Sequence, residues 1–313
     1  MWGDTVSFLS CYEQNPVLLM EGALGERLKR EYRLLPHDTV AFADIIYRTS
    51  GKRALSELWG QYIAAAKACG LPFIATTPTR RANREQVINA GFDERIITDN
   101  IHFLKQIRDA AGCEMYIGGL MGCKGDAYKA TDTLGPEKAE AFHHWQAALF
   151  KESGADFLFA GIMPALPEAT GMARAMARAG LPYIISFMVR ENGRLIDGTT
   201  IHDAIDTIDN SVPNKPVCYM TNCIHPDILY RAVSQPFNQT GLVKERLRGI
   251  QANTSALPPE QLDGSVELRC SDCKELAQSM ARLAKILPLK IVGGCCGTDD
   301  THIHEIAEQF KPV

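Results

Sequence analysis

Short apolar runs alternate with longer amphipathic stretches along the whole chain. The runs are apolar throughout, as in strands of a parallel sheet that is covered on both faces. The stretches between them have apolar residues at helical spacing, and several begin with proline or a capping residue. Eight runs predict strands over residues 17–20, 73–76, 115–118, 157–160, 183–189, 217–220, 249–252 and 291–293, and the clearest helices are predicted over residues 51–69, 136–152, 166–179 and 271–286.

The alternation of strand and helix predicts an α/β fold with a parallel sheet, and eight units are the number that closes a (β/α)8 TIM barrel. An open doubly wound sheet is the alternative, but no G-x-G-x-x-G follows the first run and the chain has no P-loop. Residues 252–263 are predicted to form one long loop. We therefore predict a single barrel domain over residues 1–313, with its active site in the loops at the carboxyl ends of the strands.

Composition and charge narrow the classes of function. Hydrophobic residues make up 46% of the chain and the net charge is −4, with acids and bases interspersed, so no basic stripe can follow a nucleic-acid backbone. The first residues lack the positive and apolar regions of a signal peptide, and the longest apolar run, residues 157–166, is too short to span a bilayer. We expect a cytoplasmic enzyme that binds neither nucleic acid nor membrane.

Ten cysteines in a chain of this length without an export signal indicate free thiols, metal ligands or catalytic groups, and not a disulfide framework. Cys295 and Cys296 are adjacent between glycines directly after the last predicted strand, and Cys223 follows the sixth. Glycines permit the unusual dihedrals by which neighbouring thiols can converge. Three sulfurs on one rim indicate a catalytic zinc site with an open fourth position. The alternative is that these thiols are buried or redox-active.

Three thiolates would give a zinc site a net negative charge, which makes the ion a poor Lewis acid for producing hydroxide. Such an ion can instead bind a substrate thiol, promote loss of its proton and keep it a strong nucleophile at neutral pH. In-line attack on the methyl group of a sulfonium or quaternary ammonium donor fits this site, because an electron-rich centre attracts a cation. The residues therefore predict a zinc-dependent S-methyltransferase with Cys223, Cys295 and Cys296 as metal ligands and catalytic groups.

The chain resembles the homocysteine S-methyltransferases over nearly its whole length. The most specific matches are residues 293–298 and residues 222–223, with weaker ones at residues 20–25, 134–136 and 186–198. The resemblance implies a (β/α)8 barrel, Zn²⁺ held by the three cysteines, and methyl transfer to homocysteine that gives methionine. A sulfonium donor, S-methylmethionine or S-adenosylmethionine, is favoured because the chain is shorter than betaine-dependent relatives and has no cobalamin-binding region. The implied substrate-binding residues are Glu21, Gly22, Thr77 and Asn222.

Three parts of the chain depart from the family pattern, and one of them is residues 76–78, which read Thr-Thr-Pro where the family more often has Thr-Asn-Thr. The acid of the first-strand motif is usually Asp and is Glu21 here, while the fourth-strand acid that holds the substrate's ammonium group is replaced by Gly161. A buried ammonium group without its carboxylate would cost several kcal/mol. A second hypothesis therefore keeps the zinc chemistry but uses another small thiol, or a separate corrinoid protein as partner. A third hypothesis is a non-catalytic barrel that binds zinc or thiols.

Other cysteines and histidines are predicted to lie outside the site. A lone C-x-x-C has no second half-site, and a His-x-His pair falls in a predicted helix, where positions i and i+2 do not share a face. We expect surface or loop thiols and solvated or helix-edge histidines, with contact of His225 to the metal or substrate as the open alternative. These residues are Cys270, Cys273, His143, His144, His225, His302 and His304.

Overall fold

The computed structural model describes residues 6–256 and 272–312, which contain a closed barrel of eight parallel strands. Each strand pairs with the next one in sequence, and the eighth pairs with the first. The strands are β1 (Leu18–Met20), β2 (Phe73–Thr76), β3 (Met115–Gly122), β4 (Phe157–Met163), β5 (Tyr183–Phe187), β6 (Cys218–Ile224), β7 (Leu247–Ala252) and β8 (Ile291–Gly294).

Helices connect the strands and cover the outside of the barrel. Short 3-10 helices lie at Ala43–Tyr47 and Pro236–Asn238. None of the described helices is long and apolar enough to cross a membrane. The α-helices are α1 (Phe8–Gln14), α2 (Gly25–Tyr32), α3 (Thr49–Cys69), α4 (Arg84–Asn89), α5 (Arg95–Ala111), α6 (Pro136–Glu152), α7 (Leu166–Ala179), α8 (Ile201–Ser211), α9 (Pro226–Val233), α10 (Gly241–Arg246), α11 (Cys273–Ala284) and α12 (Asp300–Phe310).

The predicted (β/α)8 barrel is confirmed, and all eight predicted strands are present. Strands β3, β4 and β6 extend further toward their carboxyl ends than predicted, because the backbone ladder continues through glycine and polar residues that interrupt the apolar runs. Helices α6 and α7 have their predicted bounds. The predicted start of the helix at residue 271 and most of the long predicted loop lie outside the described residues.

The N-terminal end of the barrel is closed by α1. The ring of Phe8 stacks on Phe157 with centroids 4.3 Å apart and meets Tyr116 edge-on, and both of these residues belong to the apolar interior of the barrel. The Lys290 side chain donates to the carbonyl of Tyr12 on the same helix. The open mouth therefore lies at the carboxyl ends of the strands.

Three histidines that were expected to be solvated or at a helix edge are buried instead. His143 lies 3.0 Å from the carboxylate of Glu168, with both side chains fully buried. His302 forms a capping box with Asp299 at the start of α12. The third, His225, accepts a hydrogen bond at the start of α9. In each case the histidine side chain interacts with a helix terminus or with an acid distant in sequence instead of with water. The positions of histidines along the sequence do not reveal such partners.

Candidate metal centre

The three predicted cysteines meet at the mouth of the barrel. Cys223 lies near the end of β6, and Cys295 and Cys296 follow directly after β8. Their Sγ atoms all lie within 4.8 Å of one another, and those of Cys223 and Cys295 are 2.8 Å apart. In the part of the chain that the structure describes, this is the only group of three or more Cys, His, Asp or Glu side chains that is arranged to hold a metal ion.

The backbone at Cys223 has an unusual conformation. Its φ of 58° lies in the left-handed region, and the register between β6 and β7 shifts at this point. The neighbouring Asn222 Oδ1 accepts hydrogen bonds from Ile162 N at 3.0 Å and from Ser186 Oγ at 2.7 Å. Asn222 thereby ties β4, β5 and β6 together beside the Cys223 thiol.

Backbone hydrogen bonds hold the adjacent cysteines Cys295 and Cys296 in place. The amide of Cys296 donates to Asn253 Oδ1 at 3.1 Å, and the next amide, Gly297 N, donates to Glu26 Oε2 at 2.7 Å. Gly297 has a φ of 84°, and a Cβ there would collide with the loop after β7. The glycine-flanked motif thus turns sharply enough for two consecutive thiols to reach the same point.

Hydrogen bonds within the cluster favour one thiolate. Those from Cys295 and Cys296 lower the pKa of Cys223 well below its ordinary value, although burial opposes this shift. The hydrogen bond to Cys223 correspondingly raises the pKa of Cys295. Since the thiolate is the form that binds metals, the cluster already favours the ionised state of one ligand.

The donor set fits a soft or borderline cation such as Zn²⁺. In a tetrahedral site with Zn–S bonds of about 2.3 Å, the sulfur atoms lie roughly 3.8 Å apart, which is compatible with the spread of the three thiols. Cys223 is buried, whereas Cys295 is half-buried and Cys296 is exposed. The cluster therefore has an accessible side, where a fourth ligand can enter.

Tyr128, from the loop between β3 and α6, lies over the cluster. Its hydroxyl is 3.8 Å from Cys223 Sγ, and the charge of Cys223 together with burial raises the pKa of Tyr128. The loop is held by Glu168, whose carboxylate accepts from Lys124 N at 2.7 Å and lies 3.0 Å from His143 Nε2. Sequence analysis missed both Tyr128 and Glu168. For Glu168 the reason is that an acid in the first turn of a helix usually indicates only a favourable interaction with the helix dipole.

Glu21 lies at the end of β1 with its carboxylate fully engaged. Oε1 accepts from Thr76 N at 2.9 Å and from Thr76 Oγ1 at 2.6 Å, and Oε2 accepts from Trp59 Nε1 at 2.6 Å. Burial raises the pKa of Glu21 to about 7, and the hydrogen bonds from Thr76 and Trp59 act in the opposite direction. The side chain thus lies between Thr76 of β2 and Trp59 of α3.

Two further predicted residues border the mouth through backbone and packing contacts. The hydroxyl of Thr77 is 2.6 Å from Thr79 Oγ1 and accepts from Leu120 N at 3.1 Å. At Gly22 an added Cβ would stand 2.9 Å from the ring of Tyr62, so glycine permits this close approach. The Thr77 side chain is therefore bonded to protein groups. Among the predicted substrate residues, Asn222 is the one that directly precedes a cysteine of the cluster in sequence.

Neither His225 nor Cys273 joins the cluster. His225 Nδ1 accepts from Asp227 N at 3.2 Å and so caps the helix that follows β6. Cys273 is half-buried at the first position of α11, and its C-x-x-C partner, Cys270, lies outside the described residues.

Comparison with known proteins gives one consistent result. The sequence profile of the family described as homocysteine S-methyltransferase matches residues 18–310. Homocysteine S-methyltransferase YbgG of Bacillus subtilis (strain 168) is 22% identical over 318 residues, which cover 93% of this chain and 94% of that protein. The metallated and oxidized forms of the homocysteine methyltransferase MmuM from Escherichia coli each superpose with a TM-score of 0.75 at 20% identity, over 95% of this chain and 97% of theirs.

Proposed function

The chain belongs to the homocysteine S-methyltransferase family and is a methyltransferase, and we propose that it transfers a methyl group from a sulfonium donor to the thiol of homocysteine, giving methionine. The proposed donor is S-methylmethionine or S-adenosylmethionine. The observation that supports this most strongly is the convergence of three thiols at the barrel mouth. Cys223, Cys295 and Cys296 would hold a zinc ion there.

The proposed ion, when bound, supplies a positive centre at which the acceptor thiol loses its proton and remains nucleophilic near neutral pH. The thiolates of the three cysteines keep the surroundings electron-rich, which favours the approach of a cationic donor. The acceptor sulfur forms a bond to the methyl carbon while the bond from that carbon to the donor sulfur breaks. The electron pair of the broken bond stays on the donor, which leaves as a neutral thioether, and the thiol proton goes to water.

Residues around the cluster position these groups. Asn222 Oδ1 is fixed by Ile162 N, a group that can only donate, so the assignment of the amide is unambiguous. Asn222 Nδ2 then lies 3.7 Å from the position of a Cβ on Gly161, beside the Leu120 side chain. Tyr128 covers Cys223 from the loop after β3 and limits the access of water. We expect Glu21, Gly22 and Thr77 to shape the mouth, since the two side chains that have polar groups already bond to protein atoms.

A second candidate acceptor is a small thiol without an amino group. Two observations favour it: the Glu21 carboxylate accepts three hydrogen bonds from the protein, and Gly161 offers no acid at the fourth strand. A separate corrinoid protein as partner stays a prediction. Cytoplasmic location stays a prediction as well.

Mass spectrometry of reaction mixtures tests the proposal. Zinc-loaded protein is incubated with homocysteine and, separately, with S-methylmethionine, S-adenosylmethionine and betaine, and the same set is repeated with 4-mercaptobutyrate as acceptor. We expect a methyl thioether from at least one sulfonium donor and none from the Cys296→Ala variant. Absence of any methylated thiol from the zinc-loaded wild-type protein would refute the proposed function.

A further inference from the structure

Three acids that bond to the rim of the mouth are engaged by protein donors. Glu21 accepts from Thr76 and Trp59, Glu26 accepts from Gly297 N and pairs with a neighbouring arginine, and Glu168 holds the loop after β3. None of these three carboxylates is free for a substrate ammonium group. The charge that is available at the mouth has the opposite sign.

Arg80, on the loop after β2, packs against the glycine Gly122 of β3 at the mouth. A Cβ on Gly122 would stand 2.6 Å from Arg80 Cγ and 3.5 Å from its Cδ, so the aliphatic part of the arginine fills the space that a side chain would occupy. Gly122 is the ladder partner of Gly161. On β4, Gly161 lies two residues beyond Phe159, whose ring belongs to the barrel interior. Because alternate residues of a strand face the same side, a Cβ on Gly161 or on its ladder partner Gly122 would face the inside of the mouth.

The guanidinium of Arg80 is not paired with a carboxylate in the described part of the chain. It is half-buried, and it forms neither a hydrogen bond nor an ion pair with residues 6–256 or 272–312. Its neighbour Thr79 fixes this part of the loop to the barrel, because the Thr79 hydroxyl donates to the carbonyl of Leu120 on β3 at 2.9 Å. A partly desolvated cation without a carboxylate partner is costly, and an anionic substrate group would offset that cost.

A second donor faces the same space. Asn222 Nδ2 is 3.7 Å from the position of a Cβ on Gly161, and within the described residues it forms no hydrogen bond. Arg80 and Asn222 thus bring two side chains with hydrogen-bond donors to the pair of glycines Gly122 and Gly161, next to the Arg80 carbonyl and the apolar Leu120 side chain. A carboxylate, which accepts up to four hydrogen bonds, complements the guanidinium and amide donors of these two side chains.

We propose that Arg80 is a specificity-determining residue that binds the carboxylate of the acceptor thiol, with Asn222 Nδ2 as second donor. The acceptor class is then a small aliphatic thiol with a carboxylate, on which an amino group is tolerated but not recognised. This inference rests on the proposed function, because it places the acceptor sulfur at the cysteine cluster.

Binding of four matched thiols to the zinc-loaded protein, measured by titration calorimetry without a methyl donor, tests the inference. The thiols are homocysteine, 4-mercaptobutyrate, which lacks the amino group, 3-mercaptopropylamine, which lacks the carboxylate, and 1-propanethiol, which lacks both. We expect the two carboxylates to bind within about threefold of each other and about 10- to 100-fold more tightly than the other two, as one charged hydrogen-bonding pair provides.

The Arg80→Gln variant should remove this preference, weakening both carboxylates by about 10- to 100-fold and leaving the other two thiols unchanged. Arg81→Gln is the matched control, because Arg81 is the adjacent exposed arginine and its loss changes the net charge equally. Zinc content should be equal in all three proteins. Equal weakening of all four thiols, or no weakening, would overturn the proposal.

A comparison of two methyl donors distinguishes binding of the acceptor's carboxylate by Arg80 from binding of the methyl donor's carboxylate. Initial rates are measured with 4-mercaptobutyrate and either S-methylmethionine or trimethylsulfonium, a donor without a carboxylate. A loss in Arg80→Gln with both donors supports binding of the acceptor, whereas a loss with S-methylmethionine alone assigns Arg80 to the donor and contradicts the inference. If the wild-type protein methylates homocysteine but Arg80→Gln binds all four thiols as tightly as the wild type, the inference alone is overturned. If the wild-type protein binds no thiol, the proposed function is overturned as well.

Discussion

Cys223 of the cysteine cluster and Ile162 on β4 have left-handed backbone conformations, with φ of 58° and 56°. For a β-branched residue this region is an outlier, and it costs on the order of 1–2 kcal/mol. The hydrogen bond from Ile162 N to Asn222 Oδ1 links the two strained positions. Strain that persists at a linked pair of this kind is typical of functional sites, where the surrounding structure enforces it.

Removal of one cysteine of the cluster should abolish stoichiometric zinc binding without unfolding the barrel. Cys223→Ala and Cys296→Ala each delete a ligand, and the loss of affinity should exceed the roughly 10- to 100-fold that loss of an outer-shell partner costs. Metal analysis after dialysis and circular dichroism test this, with Cys273→Ala as control because Cys273 lies outside the cluster. Full zinc retention in both variants would refute the ligand assignment.

Glu21 should make the stability of the protein depend on pH. Because burial raises its folded pKa to about 7, the unfolded chain releases this proton first, and the free energy of unfolding falls as pH rises from about 4.5 to about 7. The contribution of Glu21 to this fall is about 3 kcal/mol at roughly 1.4 kcal/mol for each unit of pKa. In Glu21→Gln the contribution should disappear.

Urea unfolding of metal-free, reduced protein at pH 5 and pH 7.5 measures this effect. The wild-type protein should lose more stability between the two pH values than Glu21→Gln does, although the variant is less stable overall because its amide cannot accept all three hydrogen bonds. The same change with pH in both proteins would show that Glu21 is ionised at pH 5 in the folded state.

At the scale of elements, the loop of residues 123–135 depends on one buried acid at the start of α7. The Glu168 carboxylate accepts from Lys124 N and, at 3.4 Å, from Leu134 N, so it binds both ends of the loop that presents Tyr128. The contact with His143 joins α6 to the same acid. A change at Glu168 should therefore act on the mouth through the loop.

Glu168→Ala should destabilise the protein by about 2–4 kcal/mol, because it leaves buried donors without their acceptor. Hydrogen exchange should become faster across residues 123–135 than elsewhere. Glu137→Ala is the control: Glu137 is an exposed acid of α6 whose contact with Arg174 is on the surface, and its loss should cost less than about 0.5 kcal/mol. Equal stability of the two variants would show that Glu168 does not hold the loop.

At the scale of the whole molecule, stability and chemistry are separated between the two ends of the barrel. Phe8→Ala removes the ring that closes the N-terminal end and should cost about 3–5 kcal/mol. Zinc stoichiometry should not change, since the thiols lie at the opposite end. Urea unfolding and metal analysis test both statements, with the exposed Leu9→Ala as control. Loss of zinc in folded Phe8→Ala would contradict the separation.

The barrel and the cysteine cluster were predictable because both follow from local patterns. Apolar runs specify strands that are buried on both faces, and adjacent cysteines between glycines specify a converging turn such as that at Cys295 and Cys296. The clusters around Glu168 and Arg80 were not predictable. Arg80 packs on Gly122, and Glu168 bonds to Lys124. In both pairs the two residues are more than forty positions apart in the sequence, and only the closed barrel brings them together.

The coordination of zinc before and after addition of the acceptor decides whether a metal at the cysteine cluster binds the acceptor thiol. X-ray absorption at the zinc edge counts the sulfur ligands in the loaded protein alone and with homocysteine or 4-mercaptobutyrate. We expect three sulfur ligands at about 2.3 Å that become four when the thiol binds. Three sulfur ligands under both conditions would contradict thiol activation at this metal, and fewer than three without acceptor would contradict the assignment of Cys223, Cys295 and Cys296 as ligands.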